Sequence, residues 1–138
     1  MAYQRGKPPQ AEPSCPPPNK ESIEKIIVKG DVEELNKYAN DLGKELKKKL
    51  GKEKALSTSQ IRSVLDEIQR MGEFNLNRIQ LLRYKLVNAA GRHRGRVRQL
   101  QGVLEVAIGL TKDKEKFENL RNFFEAIVAY HRYHGGSE

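Results

Sequence analysis

Hydrophobic residues recur every three or four positions along most of this chain, which is the spacing of one face of an α-helix. The spacing predicts a first helix over residues 20–29 that ends at Gly30. A second helix is predicted to begin at Asp31 and to end at Gly51, because Asp31 with Glu34 three residues later has the pattern of a capping box. The segment is therefore interpreted as two amphipathic helices.

Four further segments show the same periodicity. They predict a third helix from Ser57 to Met71, a fourth over residues 75–91, a fifth that ends near Gly109 and a sixth over residues 113–134. Ser57 with Gln60 is a second capping-box pattern, Gly72 is the predicted stop of the third helix, and Thr111 or Asp113 caps the sixth. Proline is absent after residue 18, and alternating runs of β-branched residues are missing. The predicted fold is therefore all-α, a compact bundle of five to six helices with short connections.

The N-terminal segment has a different composition. All six prolines lie between Pro8 and Pro18, so residues 1–18 are predicted to be a disordered tail before one helical domain over residues 19–138. Cys15 is the only cysteine, which excludes an intramolecular disulfide and fits a reduced, cytoplasmic setting. There is no apolar run of about 18 residues and no apolar signal-peptide core, so neither a membrane span nor a secretion signal is expected.

The predicted fourth helix is apolar around much of its circumference. Leu81, Tyr84 and Val87 flank a wide hydrophobic face made of Leu76, Ile79, Leu82, Leu86, Ala89 and Ala90. A helix of this kind either lies at the centre of a bundle or also meets a partner chain. One interpretation of the protein is therefore a helical homodimer in which this face forms the interface.

The net charge of +8 is concentrated in the middle of the chain. Residues 57–102 contribute +6, whereas residues 1–56 contribute +3 and residues 103–138 contribute −1. The kind of base also changes, because the first section holds eleven lysines and one arginine whereas the middle holds eight arginines and one lysine. Arginine offers a planar fork of donors suited to phosphate, so the middle section is predicted to bind phosphate groups.

The spacing of the bases indicates which of them act together. Arg78, Lys85 and Arg92 recur every seven residues, which places them on one stripe of a helix about 10 Å apart. Arg96 extends that stripe if the helix continues through residues 89–98, whereas a tight junction there interrupts it. Acidic residues are nearly absent from this part of the sequence. The further candidates, proposed on charge alone, are Arg94 and Arg98.

Catalysis and metal binding find little support. His93 has no adjacent nucleophile, and there is no close pair of acids and no glycine-rich phosphate loop. His131 and His134 lack a further cysteine or histidine nearby to complete a metal site. The protein is therefore predicted to be no enzyme, with no catalytic residue, no metal and no cofactor.

Three segments taken in order resemble one known family: LSTSQIR at residues 56–62, LLRYKLVNAAGR at residues 81–92 and FFEAIVAYHRYHGG at residues 123–136. With them the chain resembles the small subunit of type III-A CRISPR–Cas effector complexes, the Csm small-subunit family. The combination of AAGR with EAIVAYH in a short helical chain is the most specific part. The resemblance covers about residues 56–136, and the Pro-rich and Lys-rich part before it carries none.

The resemblance implies a non-catalytic subunit that stacks in several copies and helps to hold guide RNA and target RNA in antiviral defence. Its implied partners are these RNAs, the other subunits of the complex and further copies of itself. Base pairing reads the sequence, so the protein needs to recognise only shape and charge. Arg62 of LSTSQIR and Arg92 of AAGR match the family's motifs and are the implied phosphate contacts, and Lys85 lies within a matched segment. EAIVAYH is predicted mainly to pack.

The residues alone leave other interpretations open. Arg62 has Asp66 one turn later, and a weak surface ion pair between them is the simpler reading of its charge. Besides the homodimer, a small DNA-binding regulator is possible, in which the third and fourth helices form a helix-turn-helix.

Overall fold

The computed structural model describes residues 16–48, 58–92 and 96–135, with side chains throughout except at residues 58–60 and 89–92. These residues form six helices and no strand: α1 (Lys20–Ile27), α2 (Val32–Leu46), α3 (Thr58–Arg70), α4 (Leu76–Arg92), α5 (Arg96–Gly109) and α6 (Lys114–Tyr133). The prediction of an all-α bundle is confirmed. Among the described residues, no helix has the length and apolar character needed to cross a membrane.

The helix starts show why the sequence signals worked. Asp31 and Asp113 cap α2 and α6, because their carboxylates accept the backbone N–H of Glu34 at 3.0 Å and of Lys116 at 2.9 Å. The hydrogen bond from the backbone N–H of Lys116, followed by one from its ammonium group, lowers the pKa of the Asp113 carboxyl below its ordinary value. The predicted cap at Ser57 lies outside the described residues.

The predicted stops at Gly30 and Gly72 are also present. Gly30 follows α1 with φ of 66° and Gly72 follows α3 with φ of 69°. This left-handed region is comfortable for glycine and costly for residues with a Cβ. α2 ends at Leu46, before the predicted stop at Gly51, which lies outside the described residues.

α6 lies at the centre of the bundle. It contacts α1, α2 and α3, and its most extensive contact is with α2. Phe117, Phe123 and Phe124 of α6 are fully buried, as is Ile127 one turn later. Burial of a side chain of this size stabilises the folded state by about 1.5–3 kcal/mol. The aromatic stripe of α6 therefore supplies a large part of the core.

α2 approaches α6 closely. A Cβ on Gly43 would lie only 2.7 Å from a backbone nitrogen of α6 and 3.0 Å from the Cβ of Tyr130. Two asparagines of α2 accept hydrogen bonds from the same stretch of α6, where the Tyr130 hydroxyl donates to Asn36 at 3.0 Å and the His134 imidazole donates to Asn40 at 2.6 Å. Gly30, before α2, lies beside Asn119 in the first half of α6. α2 and α6 are therefore parallel.

α3 runs antiparallel to α6. The Gln69 amide donates to the Glu125 carboxylate. The rings of Phe74, just after α3, and Phe117, near the start of α6, lie 5.9 Å apart. Because later residues of α3 meet earlier residues of α6, the start of α3 lies beside the end of α6.

α4 and α5 form an antiparallel pair. The Arg83 guanidinium donates to the Glu105 carboxylate with an Nε to Oε2 distance of 3.1 Å, and the two residues are equally far from the segment that joins the helices. In one continuous helix they would lie about 33 Å apart, at ~1.5 Å per residue. The chain therefore reverses between α4 and α5, and the alternative of a continuous helix over residues 89–98 is wrong.

α5 runs antiparallel to α2. Arg96 begins α5 and donates from Nε to the carbonyl of Lys48, just after α2, at 3.1 Å. One turn further along α5, the Gln99 amide donates to Glu45 at 2.6 Å. The start of α5 is therefore fixed to the end of α2.

Only the last three residues of the predicted tail are described. Pro16 and Pro17 line a cleft of about 230 Å³ formed with α2 and α5. Pro18 lies beside Gly102 of α5, and the backbone N–H of Asn19 donates to a tyrosine hydroxyl of α2 at 3.1 Å. These three prolines therefore lie against the bundle, whereas the prediction for residues 1–15 falls outside the described part of the chain.

Candidate nucleic-acid interface

The helix directions bring five helix ends to one end of the bundle, which we call the basic end. It is formed by the last turns of α2, α4 and α6 and the first turns of α3 and α5. Its exposed bases come from separate parts of the sequence: Lys44, Lys47, Lys48, Arg62, Arg98 and Arg132. The fold therefore gathers positive charge that is widely spaced along the chain.

Arg62 is exposed in the first half of α3. Its suggested ion pair with Asp66 is absent, and no acid among the described residues forms an ion pair with Arg62. The suggested ion pair with Asp66 is therefore not formed among the described residues, and the role of Arg62 as a phosphate contact stays a prediction.

Arg78 and Lys85 are exposed on α4, seven residues apart. With Glu67 of α3 and Met71, which follows α3, they line a small cavity of about 70 Å³. The Lys85 ammonium lies 3.2 Å from Glu67, an exposed ion pair that contributes at most about 1 kcal/mol. Arg78 has no ion-pair partner within the described ranges. On the stripe predicted along α4, Lys85 is therefore paired with Glu67, whereas Arg78 has no ion-pair partner among the described residues.

Arg83 is an arginine of the basic section that the protein uses internally. Its guanidinium binds Glu105 across the α4–α5 pair and Gln80 on its own helix, the latter at 3.0 Å. The hydrogen bond to Glu105 raises the pKa of Arg83 above its ordinary value. This pair was not predicted from the sequence, because Glu105 lies just beyond the acid-poor stretch and 22 residues from Arg83.

Arg96 is a correction to the predicted site. Only 8% of it is exposed. Besides donating to the carbonyl of Lys48, it donates to Gln99 at 2.6 Å and lies 3.9 Å from Glu45. Its donors face the interior contacts of α2 and α5 instead of solvent, because the chain reverses before it. We therefore leave Arg96 out of the candidate phosphate contacts.

A family model described as Csm2 Type III-A matches residues 29–137. The chain belongs to the Csm2 Type III-A family. No curated protein matches the chain, and no solved structure does. The resemblance to the small subunit of type III-A CRISPR effector complexes is confirmed. The match begins well before residue 56, so the prediction that the Lys-rich part carries none of the resemblance was wrong.

Three other predicted contacts of this Csm2-family chain lie around the junction of α4 and α5. Arg92 is the last residue of α4, which ends at the basic end. Its side chain and the whole of Arg94 lie outside what the structure describes. Arg98 is exposed in the first turn of α5. All three stay predictions, and the backbone places Arg92 and Arg98 at the same end of the bundle as Arg62.

The C-terminal segment of the Csm2 match divides into buried and exposed residues. Ile127, Val128 and His131 are buried, which agrees with the prediction that EAIVAYH mainly packs. Arg132 and Tyr133 follow directly and are exposed, Tyr133 by 80%. The sequence did not single out Arg132. The sequence carried no signal for it, because the position of Arg132 relative to α3 depends on the antiparallel register of α3 and α6.

The described residues show no metal centre. No three His, Cys, Asp or Glu side chains among them are close enough together to hold a metal ion. What this Csm2-family bundle presents to solvent at its basic end is a set of cationic side chains on rigid helices. Such an arrangement suits contacts with a phosphate backbone.

Proposed function

We propose that this Csm2-family protein is a non-catalytic, cytoplasmic small subunit of a type III-A CRISPR effector complex that holds guide RNA and target RNA. The observation that supports RNA binding is that exposed lysine and arginine side chains of α2, α3, α5 and α6 converge at the basic end. RNA presents one phosphate per nucleotide, and a cationic surface that binds it releases counterions. Sequence reading is left to base pairing, so the protein acts on shape and charge.

Arg62 and Arg92 are the proposed principal contacts, since both lie in matched segments and at the basic end. Arg78 and Lys85 extend the surface along α4. The remaining contacts, proposed on charge, are Arg94 and Arg98. A surface of this kind binds RNA with little sequence preference and with a strong dependence on salt.

The test is to replace Arg62 and Arg92 by alanine together and to measure binding of a labelled single-stranded RNA by fluorescence anisotropy over a range of salt. The affinity is expected to fall, and each lost contact should flatten the double-logarithmic salt slope by about 0.7. Arg70→Ala is the matched control, because Arg70 is exposed on the same helix at the end away from the basic end. Unchanged affinity and slope in the double variant would contradict the proposal.

Duplex DNA in the same assay separates this function from a helix-turn-helix regulator. An RNA-binding subunit keeps its RNA affinity in the presence of equimolar duplex DNA. A regulator is displaced by the duplex, since an α-helix reads the major groove of B-form DNA.

Self-association is the second part of the proposed function, and the outer face of α4 supports it. Leu81, Tyr84 and Val87 are 56%, 66% and 53% exposed, three residues apart on one side of the helix. A second copy of the chain would cover this apolar row, as expected for a subunit that stacks in several copies. Light scattering is expected to show a dimer or larger species that Leu81→Ser with Val87→Ser converts to monomer. A wild-type monomer at high concentration would contradict stacking through α4.

A further inference from the structure

Arg62 of α3 and Arg132 of α6 occupy matching positions on the two helices, as the register of the α3–α6 contact shows. The reference point is the hydrogen bond from Gln69 to Glu125, which joins the antiparallel α3 and α6. Seven residues from Gln69 toward the basic end is Arg62, and seven residues from Glu125 in the same direction is Arg132. Seven residues are close to two helical turns, or about 10.5 Å, so both side chains keep the face of their contact residue.

The two arginines carry positive charge that no ion pair offsets within the described part of the chain. Both are exposed, and within the described part of the chain neither takes part in an ion pair. The acid nearest to Arg62 along α3 is Asp66, and the one nearest to Arg132 along α6 is Glu125. The Glu125 carboxylate already accepts a hydrogen bond from Gln69. Two neighbouring guanidinium groups repel each other unless an anion lies between them. Their forked donors match the oxygens of a phosphate.

Tyr133 follows Arg132 and presents an aromatic ring to solvent. The ring is 80% exposed and contacts the edge of the His134 imidazole at a centroid distance of 5.1 Å. His134 is itself held by Asn40 of α2 at 2.6 Å, so the tyrosine lies against a fixed neighbour. An open aromatic ring beside cations is the combination on which bases of single-stranded nucleic acids stack.

We propose that Arg62, Arg132 and Tyr133 form a site for one unpaired nucleotide of RNA. The two arginines hold its phosphate from opposite sides, and the tyrosine ring stacks on its base. This inference rests on the proposed function, since RNA is the ligand in both. It adds a base-stacking contact and a phosphate contact from α6, which otherwise supplies the core.

The experiment measures binding of a labelled oligouridylate to the full chain and to the variants Arg62→Gln, Arg132→Gln and both together. Each single variant is expected to lose about tenfold in affinity, the effect of a charge-assisted contact. The double variant should lose little more than either one alone, because both side chains hold the same phosphate. Arg70→Gln, an exposed arginine on α3 at the far end, is the matched control and should bind like the wild type.

The base contact is tested by Tyr133→Leu and Tyr133→Phe. Tyr133→Leu is expected to weaken oligouridylate binding by about five- to tenfold, whereas Tyr133→Phe keeps the ring and the affinity. With inorganic polyphosphate, which has no bases, Tyr133→Leu should bind like the wild type. Weakened polyphosphate binding, or equal loss in both tyrosine variants, would overturn the stacking role. Because all these positions are exposed, unchanged thermal unfolding serves as the folding control.

The outcomes separate this site from the proposed function. If the wild type binds no RNA, both are overturned. If it binds RNA and loses affinity on Arg92→Ala, but Arg132→Gln behaves like Arg70→Gln, the proposed function stands and the nucleotide site is wrong. Losses from Arg62→Gln and Arg132→Gln that simply multiply in the double variant would show that they do not share one phosphate.

Discussion

The two sides of α6 differ in whether their polar groups have partners within the protein. Toward α2, Gly43 lets the two backbones approach closely, and Asn36 and Asn40 each accept a hydrogen bond from α6. Toward α3 at the basic end, Arg62 and Arg132 are exposed and have no ion-pair partner among the described residues. The closed side has satisfied groups that fix the fold. The open side has exposed charges, which bind a phosphate in the proposed nucleotide site. On the proposal made above, α6 contributes to stability on one side and to RNA binding on the other.

The largest effect that tests this contrast is expected from Gly43→Ala. The new methyl group would lie 2.7 Å from a backbone nitrogen of α6, so the helices must move apart. The expected loss in the free energy of unfolding is about 3 kcal/mol, measured by urea denaturation. Gly109→Ala is the matched control, since nothing lies within 4 Å of the added Cβ and alanine favours a helix. Equal stability of the two variants would show that the α2–α6 contact is looser than described.

Arg96→Met is expected to have the next largest effect. It removes the buried donors that bind the Lys48 carbonyl and Gln99, and the free energy of unfolding should fall by about 1–3 kcal/mol. Arg62→Met, at an exposed position, should change stability by less than about 0.5 kcal/mol. RNA binding should follow the opposite order once both proteins are folded. A stable Arg96→Met variant that lost RNA binding would return Arg96 to the interface.

A smaller effect is expected from the hydroxyl on the closed side. Tyr130→Phe removes the group that donates to Asn36 at 3.0 Å, and the expected loss is about 1 kcal/mol by thermal or urea unfolding. Tyr133→Phe removes a hydroxyl that makes no hydrogen bond among the described residues, and stability should not change. Equal behaviour of the two would mean that the hydrogen bond to Asn36 adds nothing beyond solvation.

The smallest expected effect on stability comes from the N-terminal cap of α6, the helix that has both the closed and the open side. The pKa of Asp113 is lowered in the folded protein, so its ionised form stabilises the fold. That stabilisation is present above the unfolded pKa of about 4 and is lost as the pH falls through the lower folded value. Wild type and Asp113→Asn should therefore differ in urea unfolding at pH 6, and the difference should shrink as the pH falls below about 4. A difference that persisted in acid would assign the effect to shape and not to charge.

Local signals in the sequence were sufficient for the helices. Asp31 caps α2 as predicted, Asp113 is the one of the two predicted caps that α6 uses, and Gly30 and Gly72 end their helices, because each signal involves residues within one turn. The hydrophobic stripe of α6 was equally readable, since burial of one face follows directly from helical spacing.

The sequence did not predict which arginines are exposed and which are bound to other residues of the protein. Arg83 and Arg96 belong to the basic section of the sequence, yet Glu105 binds Arg83 and the Lys48 carbonyl binds Arg96 once α5 folds back along α4 and α2. Partners of this kind lie far apart in the sequence, or become partners only after a side chain is buried. The proximity of Arg132 to Arg62 likewise depends on the antiparallel register of two helices. The other candidate contacts stay predictions that only RNA binding can test.

The bond between Arg96 and the carbonyl of Lys48 links the fraying of one helix to the docking of another. The last turn of a helix normally opens without cost to the rest of the molecule. Here, opening of the chain at Lys48 also breaks the hydrogen bond from Arg96, the first residue of α5. Amide hydrogens at the end of α2 should therefore exchange with solvent more slowly while Arg96 stays bound. They would serve as a remote reporter of any ligand that tightens or loosens the α4–α5 pair.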